Sequence, residues 1–325
     1  MTEFSASVFG LPSNYGMEQF LAQLPQTLVN GLTLGSVYAL LALGYSMVYG
    51  ILKLLNFAHG DVYMVGTYFG YAALVILLPL SGAWLSIPVV IVLIMLVAMG
   101  GAGLVGVAVE RFAYRPLRNA PRLAPLISAL GVSFVLQNLV QLIAGARPHS
   151  YGSGTLIPTA SGVNLGDVRV HTSRLLVIGT TLILMLALTY FVRHTRVGRA
   201  MRAVALDRDA AAMMGVDVDQ VIVVTFLIGS LLAGAGGVLV GIVFLAVRPT
   251  MGFIAGLKGF TSAVIGGIGN IPGAMLGGLL LGMAESFATV YISVTFKDAI
   301  AFIILVIVLL VRPSGLLGRP IQQKV

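Results

Sequence analysis

Two pairs of ionisable residues stand out in a chain of 325 residues of which only 9% are charged. His59 and Asp61 lie two positions apart, shortly after Asn56, and Lys258 and Glu285 lie in otherwise apolar stretches. Because an unpaired charge at the centre of a bilayer costs about 2.5 to 3.5 kcal/mol, each such group is expected to face a partner or a water-filled path. These residues are therefore the first candidates for handling an ion or a substrate.

Lys258 and Glu285 each lie about 10 Å below the outer end of a predicted helix, at about 1.5 Å per residue. Three interpretations stay open: the two pair with each other, they have separate structural partners, or they contact the ammonium or carboxylate of a substrate. Spacings of 4, 3 and 4 place small and polar groups on one helix face, namely Gly278, Gly282, Glu285 and Thr289.

The motifs that would make this chain an enzyme are missing from its sequence. It has no Gly-x-x-x-x-Gly-Lys-Ser/Thr phosphate loop and not even a single Gly-Lys pair. His-Glu-x-x-His and Gly-x-Ser-x-Gly are also absent, the four histidines are scattered, and there is no cysteine. His59 and Asp61 are two candidate ligands without a third. We therefore expect that this chain is not an enzyme and has no metal site. Its energy source is expected to lie on another chain.

The elements that must position these residues are membrane-spanning helices. Hydrophobic residues make up 58% of the chain, the mean hydropathy is +1.02, and the few charges are separated by long uncharged stretches. Since about 20 apolar residues span the hydrocarbon core, these stretches predict an all-α polytopic membrane protein with nine crossings. The predicted spans are 26–50, 58–78, 84–108, 123–145, 174–193, 219–246, 252–268, 272–292 and 296–312.

The basic residues give these spans an orientation, because lysine and arginine in short loops mark the cytoplasmic side. With the N-terminus outside, 13 of the 19 basic residues fall inside. Those 13 are Lys53, Arg111, Arg115, Arg118, Arg122, Arg193, Arg196, Arg199, Arg202, Arg208, Arg312, Arg319 and Lys324. The sequence thus predicts an external N-terminus and a cytoplasmic C-terminus, and its basic character is read as topology and not as nucleic-acid binding.

Two regions leave details of this topology open. The glycine-rich stretch 250–296, which contains Pro272, fits either two spans or a re-entrant pair. An eight-span arrangement of the chain also remains an alternative. The many glycines of the chain suit close helix packing, and their density in 255–282 also suits a helix that bends around a translocation path. Residues 147–173 form a predicted external loop that is rich in Gly, Ser, Pro and Thr.

The cytoplasmic loop 193–220 is the most charged segment of the chain. Residues 198–214 are good helix formers, Gly215 is a plausible C-terminal stop, and Asp207 is placed to cap a second short turn. Two interpretations compete for this loop. It is either an amphipathic linker held at the lipid headgroups by its arginines, or a docking helix for a cytoplasmic protein.

The segment Asp209-Ala-Ala-Ala-Met-Met-Gly215 resembles the Glu-Ala-Ala-x-x-x-Gly loop of ABC importer permeases, with Asp in place of Glu. Three further stretches accompany it: NGLTLGSVYALLALGYSMVYGILKLLNFAHGD (30–61), ERFAYRPLR (110–118) and AVIGGIGNIPGAMLGGLLLGMAES (263–286). In this order and at these spacings they resemble the LivH-type permease subunit of branched-chain amino acid ABC importers. The resemblance extends over nearly the whole chain.

This resemblance implies a single transmembrane permease domain, 1–325, in a bacterial-type inner membrane. It also implies a second homologous permease, two cytoplasmic ATPase subunits and an external substrate-binding protein. ATP and Mg²⁺ would bind to the ATPase partners, and no cofactor is expected in this chain.

The substrate class comes from the resemblance alone, so alternatives stay open. One is a permease of the same family for urea, short amides or another small solute. A different class, an ion-coupled secondary transporter or a channel, would need no ATPase partner.

Within this framework the loop 193–220 is expected to couple the permease to its ATPases. Small and apolar side chains would seat in the partner, with charged ones at the margin. The predicted coupling residues are Arg199, Arg202, Asp207, Arg208, Asp209, Ala210, Ala211, Met213 and Gly215.

The remaining candidates lie nearer the membrane interior. Asn56 is expected to cap the second span, and His59 and Asp61 act either in structural packing near a cytoplasmic gate or directly in gating. Aromatic and amide side chains at helical spacing either belong to the core or line the translocation path together with Lys258, Glu285 and Thr289. These candidates are Tyr38, Tyr45, Tyr49, Gln137 and Gln141.

Overall fold

The computed structural model describes residues 17–81, 85–118, 120–121, 123–152, 156–157, 161–165 and 168–318. Within these ranges the chain forms eleven α-helices and four short strands. The helices are α1 (Met17–Leu52), α2 (His59–Leu77), α3 (Ile87–Val109), α4 (Leu123–Ala144), α5 (Thr172–His194), α6 (Arg196–Leu206), α7 (Arg208–Met213), α8 (Val218–Phe244), α9 (Met251–Gly266), α10 (Ile271–Tyr291) and α11 (Lys297–Val311). The strands are β1 (His149–Ser150), β2 (Gly162–Leu165), β3 (Val168–His171) and β4 (Ala246–Val247).

Each of the nine predicted spans coincides with one of these helices, and α6 and α7 fall in the predicted coupling loop. Seven helices, α1 to α5, α8 and α10, are long and apolar enough to cross a membrane. The protein is therefore a multi-pass membrane protein.

Helices α9 and α11 are shorter, with 16 and 15 residues. Their lengths are only about 24 Å and about 22 Å, whereas the hydrocarbon core is roughly 30 Å thick. The number of crossings stays a prediction for that reason.

Helix α1 is the centre of the bundle. It packs against α2, α5, α8, α9 and α10, and its apolar residues from Val37 to Val48 are almost all buried. In contrast, α4 and α5 leave most of their apolar window exposed, as helices that face lipid do. The side chains of α1 are thus the ones most enclosed by protein.

Close backbone approach joins α1 to α10. A Cβ atom added to Gly35 would lie 2.8 Å from the Cα atom of Leu279, and one added to Gly31 would lie 2.8 Å from the Cα atom of Met283. Lipid supplies little hydrophobic drive between helices, so contact between small residues is the main source of association. The glycines of α1 are therefore packing residues.

The predicted external loop contains more order than its composition suggests. Strand β1 pairs with β4 and β2 pairs with β3, both antiparallel, and Tyr151 is buried against Gly70 of α2 and Gly241 of α8. Positions 153–155, 158–160 and 166–167 of this loop lie outside the described residues, as do Arg122, Arg319 and Lys324 of the predicted cytoplasmic set.

We expect Gly35→Ala to lower stability by about 1 to 3 kcal/mol, because the added methyl group forces the α1 and α10 backbones apart. Thermal unfolding of the detergent-purified protein measures the effect. Gly100→Ala in α3 is the matched control, since no described atom lies within 4 Å of its Cβ position. That substitution should be neutral or stabilising, because alanine is the better helix former. Equal effects of the two substitutions would contradict the packing role.

Candidate functional site

The loop 193–220 forms two short helices that meet at Asp207. The extended backbone of Asp207 ends α6, and its carboxylate accepts hydrogen bonds from the backbone N–H groups of Asp209 and Ala210, at 2.9 and 3.0 Å. A carboxylate in this position satisfies helix donors that otherwise have no partner. The predicted cap is confirmed.

Gly215 ends the second helix in a left-handed backbone conformation, with a φ of 82°. Glycine adopts this conformation without strain. Its N–H donates to the carbonyl of Ala212 at 3.0 Å, and the N–H of Val216 donates to the carbonyl of Ala211 at 3.1 Å. This pair of bonds is a Schellman motif, which closes a helix C-terminus. The predicted stop at Gly215 is therefore also confirmed.

Apolar side chains project from this loop without cover from the rest of the chain. Met213 is 82% exposed and Met214 is 85% exposed, and Leu206 at the end of α6 is similarly open. Exposed apolar residues rimmed by charge are typical of a protein–protein contact. Ala211 differs from the prediction, because it is only 5% exposed and packs into its own chain. The exposed surface of the loop thus includes Met213 and Ala210 but not Ala211.

Two arginines of the loop, predicted at the charged margin of the docking helix, also bind backbone carbonyls of the bundle. The Arg208 guanidinium donates to the carbonyl of Ile51 in the last turn of α1, at 2.8 Å from Nη2. Arg202 donates to the carbonyl of Val192 in the last turn of α5. Basic side chains stabilise helix C-termini in this way. Arg199 and Asp209 are exposed.

Asp61 lies in the first turn of α2 and is only 1% exposed. Its carboxylate accepts hydrogen bonds from the hydroxyl of Ser133 and, at 3.0 Å, from Nε2 of Gln137, both on α4. Asp61 and Gln137, predicted separately as gate and path residues, thus belong to one polar cluster. Gln141 lies one turn further along α4 and is half-buried.

The prediction that Asn56 caps α2 is wrong. Ala58 occupies the cap position, and α2 has no side-chain cap. The Asn56 side chain instead accepts a hydrogen bond from the Tyr114 hydroxyl at 3.2 Å, and the same hydroxyl lies 3.0 Å from the carbonyl of Leu55. The Asn56 side chain is thus bonded to the buried Tyr114 and not to the start of α2, and this bond fixes the turn between α1 and α2.

His59 is buried between α1 and α8 and packs edge-on against Tyr45, with ring centroids 4.9 Å apart. Its ring occupies the space that a side chain at position 44 would need, so Gly44 is required for this contact. In the part of the chain that the structure describes, no three His, Cys, Asp or Glu residues are grouped to hold a metal ion. His59 serves in packing beside the α1–α2 turn.

Lys258 and Glu285 form a buried ion pair, with Nζ 2.7 Å from Oε1, so the pairing is confirmed. The other carboxylate oxygen accepts a hydrogen bond from the Tyr38 hydroxyl at 2.8 Å. Lys258 also contacts Oδ1 of Asp298 at 2.6 Å. Lys258 is 4% exposed and the Asp298 side chain is 45% exposed, so one side of this ion cluster reaches the surface. The cluster joins α1, α9, α10 and α11.

The other predicted path residues have different surroundings. The Thr289 hydroxyl donates to the Glu285 carbonyl of its own helix at 2.8 Å. Tyr49 lines a cavity at the end of α1. The three tyrosines of α1 therefore do not form one lining, since Tyr38 and Tyr45 lie in separate buried clusters.

Several members of these clusters, among them Ser133 and Asp298, were not predicted from the sequence. Ser133 precedes Gln137 by one helical turn, so extending the polar face of α4 by four residues would have found it. Asp298 lies in the first turn of α11, where only the three-dimensional packing brings it to Lys258. A further ion-pair network, in which Arg118 contacts Glu110 and Asp219, uses the stretch ERFAYRPLR, to which no role was assigned.

Comparison with known proteins adds an independent line of information. Residues 27–309 match the family described as the branched-chain amino acid transport system permease component. The chain is 44% identical over 320 residues to the high-affinity branched-chain amino acid transport system permease protein LivH of Escherichia coli K12, covering 95% of this chain and 99% of that protein. It is 45% identical over 307 residues to the corresponding protein BraD of Pseudomonas aeruginosa, with coverages of 92% and 97%. A solved inward-facing ABC transporter of metal-chelate type aligns with a TM-score of 0.46 at 17% identity, over 86% of this chain and 85% of that one.

We expect Lys258→Met and Glu285→Met each to destabilise the protein by about 3 to 5 kcal/mol, because each leaves a buried charge without its partner. The double variant should lose much less than the sum, and thermal unfolding in detergent measures the coupling. Lys297→Met, at the adjacent start of α11, is the control and should change little. Additive losses in the double variant would show that the pair is not coupled.

Proposed function

Because this chain belongs to the branched-chain amino acid transport permease family, we propose that it carries branched-chain amino acids into the cell as the permease subunit of an ATP-driven importer. The observation that carries this proposal is the family match over residues 27–309, together with 44% identity to LivH across 95% of the chain. The chain is a transport subunit and not an enzyme.

The importer that we propose contains a second homologous permease, two cytoplasmic ATPase subunits and an external substrate-binding protein, in a bacterial-type inner membrane. ATP and Mg²⁺ bind to the ATPase subunits. The lack of a phosphate loop in this sequence supports that division of labour.

The topology that we propose has nine crossings in one permease domain, 1–325, with the N-terminus outside and the C-terminus in the cytoplasm. In this topology residues 147–173 lie outside the cell and residues 193–220 lie in the cytoplasm. The position of 13 of the 19 basic residues supports it. An eight-crossing arrangement is the alternative, since α9 is short whereas α10 is long enough to cross.

In the proposed mechanism, ATP binding moves the ATPase subunits, and the loop 193–220 passes that motion to the membrane helices. Met213 and Ala210 contact the partner. Arg208 and Arg202 transmit the motion, because their hydrogen bonds end on the last turns of α1 and α5. A short helix that docks into a partner can pass on the partner's motion only if such hydrogen bonds hold the helix to the bundle.

The gate in this mechanism is the turn between α1 and α2, with Asn56, His59 and Asp61. Asp61 has hydrogen-bond donors but no ion pair among the described residues. We propose that Asp61 and Gln137 face the path. In the cluster of Lys258, Glu285 and Asp298 the buried lysine is paired with two carboxylates, and we propose that it holds α9, α10 and α11 against α1 in place of binding substrate.

Reconstitution tests the function. Proteoliposomes with the second permease, the ATPase subunits and the binding protein should take up labelled leucine only when ATP is present. Uptake of labelled urea in preference to leucine would favour the other-solute alternative. Uptake by this chain alone in an ion gradient would overturn the proposal.

We expect Gly215→Val to uncouple ATP hydrolysis from uptake while the subunit still inserts. A branched residue at a positive φ costs about 1 to 2 kcal/mol. The substitution displaces the end of α7, although no described atom lies within 4 Å to clash with it. Leucine uptake per ATP hydrolysed, measured in the same proteoliposomes, should fall several-fold.

Gly215→Asn is the matched control for this substitution, because asparagine tolerates the same backbone conformation. It should keep nearly normal coupling. Normal transport by the valine variant would remove the coupling role.

A further inference from the structure

A large basic cavity lies where α1, α5 and α6 end and α7 begins, and the turn between α9 and α10 and the segment after α11 complete its lining. Its volume is about 1230 Å³. Five cationic side chains line it, and no lining residue is acidic in the part of the chain that the structure describes. The five are Lys53, Arg118, Arg193, Arg202 and Arg208.

Most of this positive charge has no counter-charge in the described chain. Arg118 is compensated by Glu110 and Asp219, but no ion pair of the described residues joins the other four cations to a carboxylate. Burial lowers the pKa of Lys53, and the nearby Arg208 lowers it further. Burial likewise lowers the pKa of Arg208, with Arg118 as the second cause. Like charges held in a partly enclosed site repel one another, so an anion would stabilise them.

The walls of the cavity point to the source of that anion. Thr189 and Val192 of α5 and Pro125 of α4 form part of the lining. Pro125 and Val192 are themselves buried, but the two helices to which they belong have the least buried apolar windows of the seven long helices. The cavity thus lies at the ends of the helices that leave the most apolar surface uncovered in the described chain. Tyr49 lines it as well, and tyrosine favours the boundary between headgroups and acyl chains. Small-ligand pockets usually measure roughly 300 to 1000 Å³, so this cavity exceeds what a free phosphate ion would fill.

We propose that this cavity binds the phosphate headgroup of an anionic phospholipid, with the acyl chains along α4 and α5. Lys53 and Arg193 donate to the phosphate oxygens. Arg202 and Arg208 add charge from the coupling loop while their hydrogen bonds hold α5 and α1. The inference depends on the membrane-spanning helices and not on the transported substrate.

Lipid retention in the assembled importer tests this proposal. The complex is reconstituted in nanodiscs of phosphatidylcholine with phosphatidylglycerol, transferred to detergent and analysed by native mass spectrometry for phosphatidylglycerol bound per permease. The test variant is Lys53→Gln with Arg193→Gln. The matched control is Arg111→Gln with Arg196→Gln, which removes the same charge from exposed positions outside the cavity lining.

We expect retention to fall at least about tenfold in the test variant, because the phosphate loses two charge-assisted donors, and to change much less in the control. Equal losses in both variants would mean nonspecific surface attraction and would overturn the proposal. If the test variant does not fold, single substitutions Arg193→Gln and Arg196→Gln repeat the comparison.

Two further measurements distinguish the lipid from other possible occupants of the cavity. Millimolar inorganic phosphate should not displace the lipid, and displacement would assign the site to a free anion. Lipid that binds the permease alone but leaves when the ATPase subunits are added would assign the site to an acidic protein segment. Either result would overturn the lipid assignment, and neither depends on whether leucine is the substrate.

Discussion

The close contact of α1 with its neighbours is the constraint on which the rest of the structure depends. Membrane helices gain little from burying apolar surface against one another, so their positions are fixed by how near the backbones approach. Along α1, Tyr38 reaches the ion cluster, Gly44 admits the His59 ring and Ile51 accepts the bond from Arg208. One helix thus connects the ion cluster around Lys258, the α1–α2 turn and the loop 193–220.

Polar groups inside the bundle are paired mainly with other parts of the same chain. The ion cluster around Lys258 and the cluster around Asp61 both join helices that are far apart in sequence. A buried pair contributes little net stability, because desolvation offsets the attraction, but breaking it is costly. Such clusters therefore fix which helices meet. The loop arginines have a different role. They donate to carbonyls at helix termini and so connect the loop 193–220 to the bundle.

Local rules predicted local features well. Uncharged stretches located nine helices, while Asp207 and Gly215 obeyed capping rules that involve only nearby backbone groups. Similar depth along two helices made a pair of Lys258 with Glu285 one of three open interpretations, and only the three-dimensional packing selects it. Asn56 and Ala211 were misassigned because each is controlled by packing against distant residues. Asp298 joins Lys258 only through the placement of α11, which no sequence periodicity specifies.

The short helix α11 has a consequence for the surrounding bilayer. Only Ala301 of this helix is buried, so most of its apolar surface is left uncovered by the described chain. In the nine-crossing topology that we propose, an apolar helix of about 22 Å spans a bilayer whose hydrocarbon core is about 30 Å thick. Lys297 and Arg312 at its two ends would then reach toward the headgroups, and the bilayer would thin locally. This edge of the protein is where hydrophobic mismatch concentrates, so the packing of α11 should depend on membrane thickness more than that of any long helix in the described chain.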